Sequence, residues 1–263
     1  ATQKAKELIK MGVAKASLLE PLERVPIGVE PKALVIGGGI AGITAALSLA
    51  NSGFEVKLVE KAKELGGMLR NIYKLYPTNQ EASSFLEPKI KAVKEHPNIK
   101  LYLSSQVKEL KGFIGNYEVT VAGEIEASFK VGAIILAVGG KLLEPKGMYN
   151  YDGSKVITQL QLEGMLKENK FKSDNVVMIQ CVGSRMEERP YCSRTCCMTA
   201  IKNALLIKEI NPKVNVFILY RDLQTYGAEY EEYLRESKEK GVRFIRYSPE
   251  NPPVVQNGKV KVF

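Results

Sequence analysis

Apolar and polar positions alternate along this chain in three distinct ways, and each predicts a different element. In residues 1–19, Leu8, Ile9, Val13, Ala16 and Leu19 recur near helical spacing among lysines, which predicts an amphipathic helix. Pro21, Pro26 and Pro31 then predict an extended linker, because proline fixes its own φ and restricts the residue before it. A short apolar run at 33–36 predicts a buried strand and 55–59 a second strand, separated by a glycine cluster and a helical stretch ending near Asn51. Residues 117–130 alternate and predict a small β-meander, and 133–136 predict another buried strand. In the second half, runs at 175–180 and 214–220 predict strands. Met198, Ile201, Leu205 and Ile210 between them predict an amphipathic helix that stops at Asn211-Pro212. Residues 254–263 predict a hairpin turning at Asn257-Gly258, a pair suited to the positive φ angles of a type I′ turn. The order is β-α-β twice, an α/β fold of two Rossmann-like domains. The division predicted is helix and linker at 1–31, a first domain at 32–145 and a second at 146–263.

The first β-α turn reads Gly37-Gly38-Gly39-Ile40-Ala41-Gly42. In a G-x-G-x-x-G turn the first glycine permits the tight bend, the second lets backbone approach a pyrophosphate, and the third allows close helix–strand packing. Glu60 stands at the end of the next strand, where a carboxylate accepts hydrogen bonds from a ribose hydroxyl and disfavours a 2′-phosphate. Strand, helix, strand and terminal acid together point to a dinucleotide site. Glycines used only for packing are the bland alternative.

Composition narrows the classes of function. A chain of 263 residues with 45% hydrophobic and 25% charged content can bury one or two cores. Its longest uncharged apolar run, 131–140, is too short to span a bilayer, and the first residues lack a signal-type apolar stretch. The net charge of +9 is dispersed, with lysines alternating with glutamates in 61–64 and 231–240. Neither nucleic acid nor direct membrane insertion is expected, and a cytoplasmic location is. No Ser-His-Asp set is evident. His96, the only histidine, is expected to cap a helix end or lie on the surface, and Tyr76, Tyr226 and Tyr230 to pack in the core or at an interface rather than to react.

The four cysteines change the picture. Cys181, Cys192, Cys196 and Cys197 occupy one seventeen-residue stretch with spacing C-x10-C-x3-C-C. Four thiolates meeting at one point can hold an iron–sulfur cluster or zinc, although adjacent ligands fit paired C-x2-C zinc patterns poorly. A redox dithiol, a disulfide or inert buried thiols remain as rivals. Where the second β-α-β unit would carry its phosphate loop, the chain reads Cys181-Val182-Gly183-Ser184-Arg185, with one glycine, so pyridine-nucleotide binding there is disfavoured. Cys196 and Cys197 open the following helix, whose amide dipole favours an anionic centre, and Arg185 and Arg194 are near enough in sequence to offset its charge.

Two resemblances sharpen these readings. Glu60-Lys61 followed by Gly66-Gly67, and a strand ending in Ala137-Val138-Gly139-Gly140, resemble the two-dinucleotide-binding-domain flavoproteins of the glutathione/thioredoxin reductase type. That resemblance implies FAD, held by Gly37, Gly39, Ile40, Ala41, Gly42, Glu60, Lys61, Gly66, Gly67, Val107, Ala137, Val138 and Gly139. Over nearly its whole length the chain also resembles the A-type subunit of heterodisulfide reductase and its relatives in sulfur oxidisers and sulfate reducers. The marks are Leu19-Glu20-Pro21-Leu22-Glu23, the glycine turn, Tyr76-Pro77-Thr78-Asn79, Cys181-Val182-Gly183-Ser184-Arg185, Tyr191-Cys192-Ser193-Arg194-Thr195-Cys196-Cys197 and Tyr226-Gly227-Ala228-Glu229-Tyr230-Glu231-Glu232.

This second resemblance implies a [4Fe-4S] cluster on the four cysteines, electron transfer between flavin and clusters, B- and C-type partner subunits, and a homodimer. After Pro77-Thr78 the chain reads Gln80-Glu81-Ala82-Ser83-Ser84 and carries no ferredoxin insert, unlike methanogen-type subunits. Resemblance is therefore better to the short, insert-free type, which does not imply bifurcation and leaves sulfur chemistry to a partner. The chain lacks the Gly-Asp dipeptide that flavoproteins of this group use to hold the ribitol, and it begins at Ala1, so it is expected to be part of a longer protein. Two other functions fit the same motifs: a stand-alone NAD(P)H-dependent flavin dithiol-disulfide oxidoreductase, and a non-catalytic docking scaffold.

Overall fold

Short strands rich in valine, leucine and isoleucine form two parallel sheets in the computed structural model, which describes residues 2–21 and 26–263. Ala1 and residues 22–25, which include part of the predicted linker and of the Leu19–Glu23 motif, lie outside the described residues. Helix α1 (Thr2–Ser17) buries none of its side chains, and Leu8, Ile9, Met11 and Val13 are exposed. The first β-α-β unit follows as β1 (Lys32–Ile36), α2 (Ile40–Asn51) and β2 (Glu55–Val59). A 3-10 turn (Gly67–Asn71), α3 (Ala82–Glu95) and β3 (Ile99–Tyr102) come next. Strands β4 (Ser105–Phe113), β5 (Asn116–Gly123) and β6 (Ala127–Val131) form an antiparallel meander, and β7 (Ala133–Leu136) returns to the first sheet.

That sheet has the order β3-β2-β1-β7, all parallel, with Ile36 level with Val59 on one side and Leu136 on the other. The register brings three strand ends to one level, where the glycine turn begins. Val35, Val56 and Leu58 pack on one face against Ile43 and Ala46 of α2 and Leu86, Ile90 and Val93 of α3. On the other face Leu34, Val59 and Tyr102 meet Val119, Val121 and Val131 of the meander. Strand β4 escapes the sequence pattern because most of its side chains are exposed and a bulge between Val107 and Glu109 breaks its alternation.

The second unit contains α4 (Gln159–Lys167), β8 (Asn175–Ile179), α5 (Cys196–Ile210), β9 (Asn215–Tyr220), α6 (Ala228–Glu239) and β10 (Arg243–Arg246), with sheet order β10-β9-β8. Helix α5 differs from the simple amphipathic helix expected. Ile210 is exposed, whereas Lys202 and Asn203 are buried with Met198, Ile201 and Leu205. The reason is that α5 is covered by its neighbours on every side at mid-length, so its polar residues find partners inside. Glu163 of α4 pairs with Lys202, and its Oε1 accepts hydrogen bonds from the Tyr73 and Lys74 amides at 2.9 and 3.3 Å. The Lys202 ammonium also donates to the Lys74 carbonyl at 2.8 Å.

The Tyr73–Asn79 loop is thereby fastened to the second core. Tyr76 stacks edge-on against Tyr230 at 5.8 Å, and the Tyr233 hydroxyl donates to Asn79 Oδ1 at 2.5 Å. Tyr226 is exposed and so is not part of the core. His96 stands at the C-cap position of α3, its Nδ1 accepting from the Asn98 amide at 3.1 Å. The chain closes in a hairpin of β11 (Val254–Gln256) and β12 (Lys259–Lys261), with φ of 50° at Asn257 and 70° at Gly258. No helix among the described residues is long and apolar enough to cross a membrane.

Candidate functional site

Two sites form where sequence chemistry meets the carboxyl ends of the strands. At the first sheet, Gly37 has φ +108°, and a Cβ there would lie 2.3 Å from the Ala137 carbonyl oxygen. A Cβ on Gly42 would lie 1.8 Å from the Gly37 carbonyl oxygen, so only glycine closes this turn. Gly39 is different. It opens α2 without a side-chain cap, and a Cβ there would meet nothing within 4 Å. The first turn of α2, with Ile40 and Ala41, thus starts at an open cradle of the kind phosphate uses.

Gly66-Gly67 lies against the same turn. The Gly66 amide donates to the Gly38 carbonyl at 2.7 Å, and a Cβ on Gly67 would come within 3.0 Å of Gly39 Cα. The Glu60 carboxylate is buried and held from both sides, accepting from the Gly38 amide at 2.5 Å and the Ala62 amide at 2.7 Å. Lys61 beside it is exposed. The Ala137 amide donates to the Ile36 carbonyl at 2.8 Å, and Val138 and Gly139 continue outward into solvent. Val107 stands on β4 opposite Val121, two residues after Ser105, whose amide donates to the Glu60 carbonyl at 3.1 Å. The structure therefore gathers Gly37, Gly39, Gly42, Glu60, Gly66, Gly67 and Ala137 at one strand-end level, with Val107 in the adjoining meander.

At the second sheet one pocket is lined by all four cysteines with Gln180, Ser184, Arg185, Arg194, Asp222 and Gln224. Positive φ angles at Cys181, Gly183, Arg185 and Arg194 wrap the connecting loop around it. Cys197 is buried, and Cys192 and Cys196 are exposed. Hydrogen bonds already reach the sulfurs: the Arg194 amide donates to Cys192 Sγ at 3.3 Å, and Ser193 Oγ lies 3.1 Å from Cys196 Sγ. Burial pushes the Cys181 and Cys197 thiols up, while the Arg185 guanidinium pulls Cys181 back down. Arg185 also pairs with Asp222 at 2.7 Å and holds that carboxyl below the ordinary aspartate range.

As the side chains lie, no three His, Cys, Asp or Glu groups among the described residues are close enough to hold one metal ion. The donor set nevertheless suits an anionic iron–sulfur centre: four thiols on one pocket, two guanidinium groups beside them, amide donors to sulfur, and a helix N-terminus. Sequence reasoning singled out the cysteines, Arg185 and Arg194. It missed Asp222 and Gln224, which reach the pocket only because β9 lies beside β8.

Residues 31–181 match the family described as pyridine nucleotide-disulphide oxidoreductase. The chain is 34% identical to the second A-type iron-sulfur subunit of CoB--CoM heterodisulfide reductase from Methanopyrus kandleri, over 95% of this chain and 52% of that protein. It is 33% identical to the A-type subunit of H(2):CoB-CoM heterodisulfide,ferredoxin reductase from Methanothermobacter marburgensis, over 96% of this chain and 53% of that protein. The chain thus spans about half the length of the curated relatives it matches. The first alignment runs over 344 positions, and 95% of 263 residues is about 250, so that relative carries roughly 90 positions within it that this chain lacks. Among solved structures, thioredoxin reductase from T. acidophilum superposes with TM-score 0.56 at 18% identity, over 87% of this chain and 68% of that one. Lactococcus lactis thioredoxin reductase gives 0.50 at 16%, over 88% and 74%. Both establish likeness of fold.

Proposed function

Since the chain belongs to the pyridine nucleotide-disulphide oxidoreductase family, we propose that it is the FAD- and [4Fe-4S]-carrying electron-transfer component of a heterodisulfide-reductase-like complex. Its relatives are oxidoreductases named as A-type subunits, which supports further subunits as partners; B- and C-type subunits and a homodimer are the partners proposed here. The observation that carries the reading is the single pocket shared by all four cysteines at the start of α5.

Gly39 and the first turn of α2 cradle the FAD diphosphate, with Ile40 and Ala41 supplying amides. Gly37 and Gly42 keep that turn closed, and Gly66-Gly67 forms its opposite wall. Glu60, already aligned by the Gly38 and Ala62 amides, accepts from the adenosine ribose. Lys61 and Val107 flank the adenine, and Ala137, Val138 and Gly139 form the returning edge. Residues 32–145 and 146–263 act as the flavin and cluster domains. Cys181, Cys192, Cys196 and Cys197 ligate the cluster, and Arg185 and Arg194 offset its charge. When bound, the flavin exchanges electrons in pairs or singly and the cluster carries them one at a time. A reducing cytoplasm keeps the thiols available as ligands.

The test is anaerobic reduction of the protein followed by visible absorbance and electron paramagnetic resonance together. Two reducible centres are expected, and Cys192→Ser and Cys197→Ser should abolish the paramagnetic one while leaving flavin bleaching intact. Exposure of Cys192 and Cys196 favours one rival, a dithiol reductase. That rival requires turnover with pyridine nucleotide alone, and no paramagnetic signal beyond that of a flavin radical.

A further inference from the structure

Gln180 is the last residue before Cys181 and follows β8 directly. It is 2% exposed, and its side-chain Nε2 is buried without a hydrogen-bond partner. Such an orphan is costly, because a buried donor that has left water and found nothing loses its full solvation. The backbone holds Gln180 in place regardless: its amide donates to the Leu219 carbonyl at 2.9 Å, and its own carbonyl accepts from the Tyr247 hydroxyl at 2.7 Å. The main chain is pinned on both sides, so relaxation of the backbone does not rescue the side chain.

Four buried polar atoms among the described residues lack partners, in Gln180, Arg189, Asn203 and Arg221. Of these residues, Gln180 is the one that lines the cysteine pocket. Sulfur contacts in that pocket include the Arg194 amide and the Ser193 hydroxyl on the connecting loop, the Arg185 side chain at Cys181 and the Asp222 carbonyl, to which the Cys197 thiol donates. A donor without a partner therefore sits on a residue that lines the β8 end of the pocket.

We propose that the Gln180 side-chain amide donates a hydrogen bond to a sulfur of the bound cluster and raises its reduction potential, a role that rests on the iron–sulfur reading above. Reduction adds one electron to the cluster and breaks no covalent bond. The more negative sulfurs of the reduced state accept a hydrogen bond more strongly, so a donor favours that state. Glutamine suits the task because it donates without carrying charge and does not titrate.

The experiment compares the unmutated protein, carrying its cofactors and kept under anaerobic conditions, with Gln180→Met and Gln180→Glu. Methionine keeps the length and removes the donor, and glutamate replaces the donor with an acceptor. Iron and flavin are quantified first, and each protein is then titrated with a chemical reductant under paramagnetic detection. With iron and flavin unchanged, Gln180→Met is expected to shift the reduction equilibrium roughly tenfold toward the oxidised cluster. That is about 59 mV lower for a one-electron couple. Gln180→Glu should fall further, and the flavin potential should stay. Equal cluster potentials in three iron-loaded proteins would overturn the role of Gln180 and leave the cluster reading standing. Absence of iron from the unmutated protein would overturn both. A second readout needs no variant: side-chain 15N-glutamine should give a nitrogen coupling in pulsed spectra of the reduced cluster, and a spectrum without it rejects the hydrogen bond.

Discussion

Lys202→Met removes one half of an ion pair whose two side chains are each 2% exposed. The Glu163 carboxylate left behind keeps the Tyr73 and Lys74 amides but loses its only cationic partner among the described residues. Breaking a buried pair in this way costs about 3–5 kcal/mol, because an uncompensated charge stays inside. For a chain of this size each kcal/mol lowers the melting temperature by about 2–4 °C, so Lys202→Met should melt about 6–20 °C lower. Glu163→Gln added to Lys202→Met removes the stranded charge, yet its amide oxygen still accepts from Tyr73 and Lys74. The double variant should therefore recover more than half of the loss. Thermal and urea unfolding followed by circular dichroism measures all three proteins. Equal destabilisation of single and double variants, or a single-variant loss below about 1 kcal/mol, would refute the reasoning.

Three further outcomes are expected. Gly39→Ala should fold with unchanged melting temperature but lose flavin, since its Cβ enters only open space, whereas Gly42→Ala should lose both stability and flavin because its Cβ meets the Gly37 carbonyl; flavin absorbance and thermal melts distinguish them. Asp152 Oδ1 accepts the Ser154, Lys155 and Val156 amides, which lowers its carboxyl to about 2. Its contribution to stability should be present above the ordinary aspartate value and lost as pH falls through about 2, and a carboxyl-carbon resonance titrating near 4 would contradict this. Tyr233→Phe removes the hydroxyl donor to Asn79 and should cost about 1 kcal/mol in urea unfolding.

The first β-α-β unit was readable because its strands are short apolar runs and its turn needs glycine at Gly37 and Gly42 for steric reasons that hold in any such fold. The cysteine site was readable because its ligand candidates fall within one loop and the helix start that follows it. What the pattern concealed depends on contacts distant in sequence. Strand β3 is a short edge strand with Lys100 exposed and α4 is a short helix, so neither has a long period of its own. Lys202 reads as a surface lysine until Glu163, thirty-nine positions away, meets it. Gln180 and Asp222 acquire meaning only once β8 and β9 lie side by side. The apolar face of α1 has no partner among the described residues, and periodicity alone carried no sign of that.

Iron, acid-labile sulfide and flavin content of the anaerobically purified protein tests the central claim most directly. About four irons, four sulfides and one FAD per chain are expected. Flavin without iron would contradict the cluster assignment and return the four cysteines to thiol or zinc chemistry.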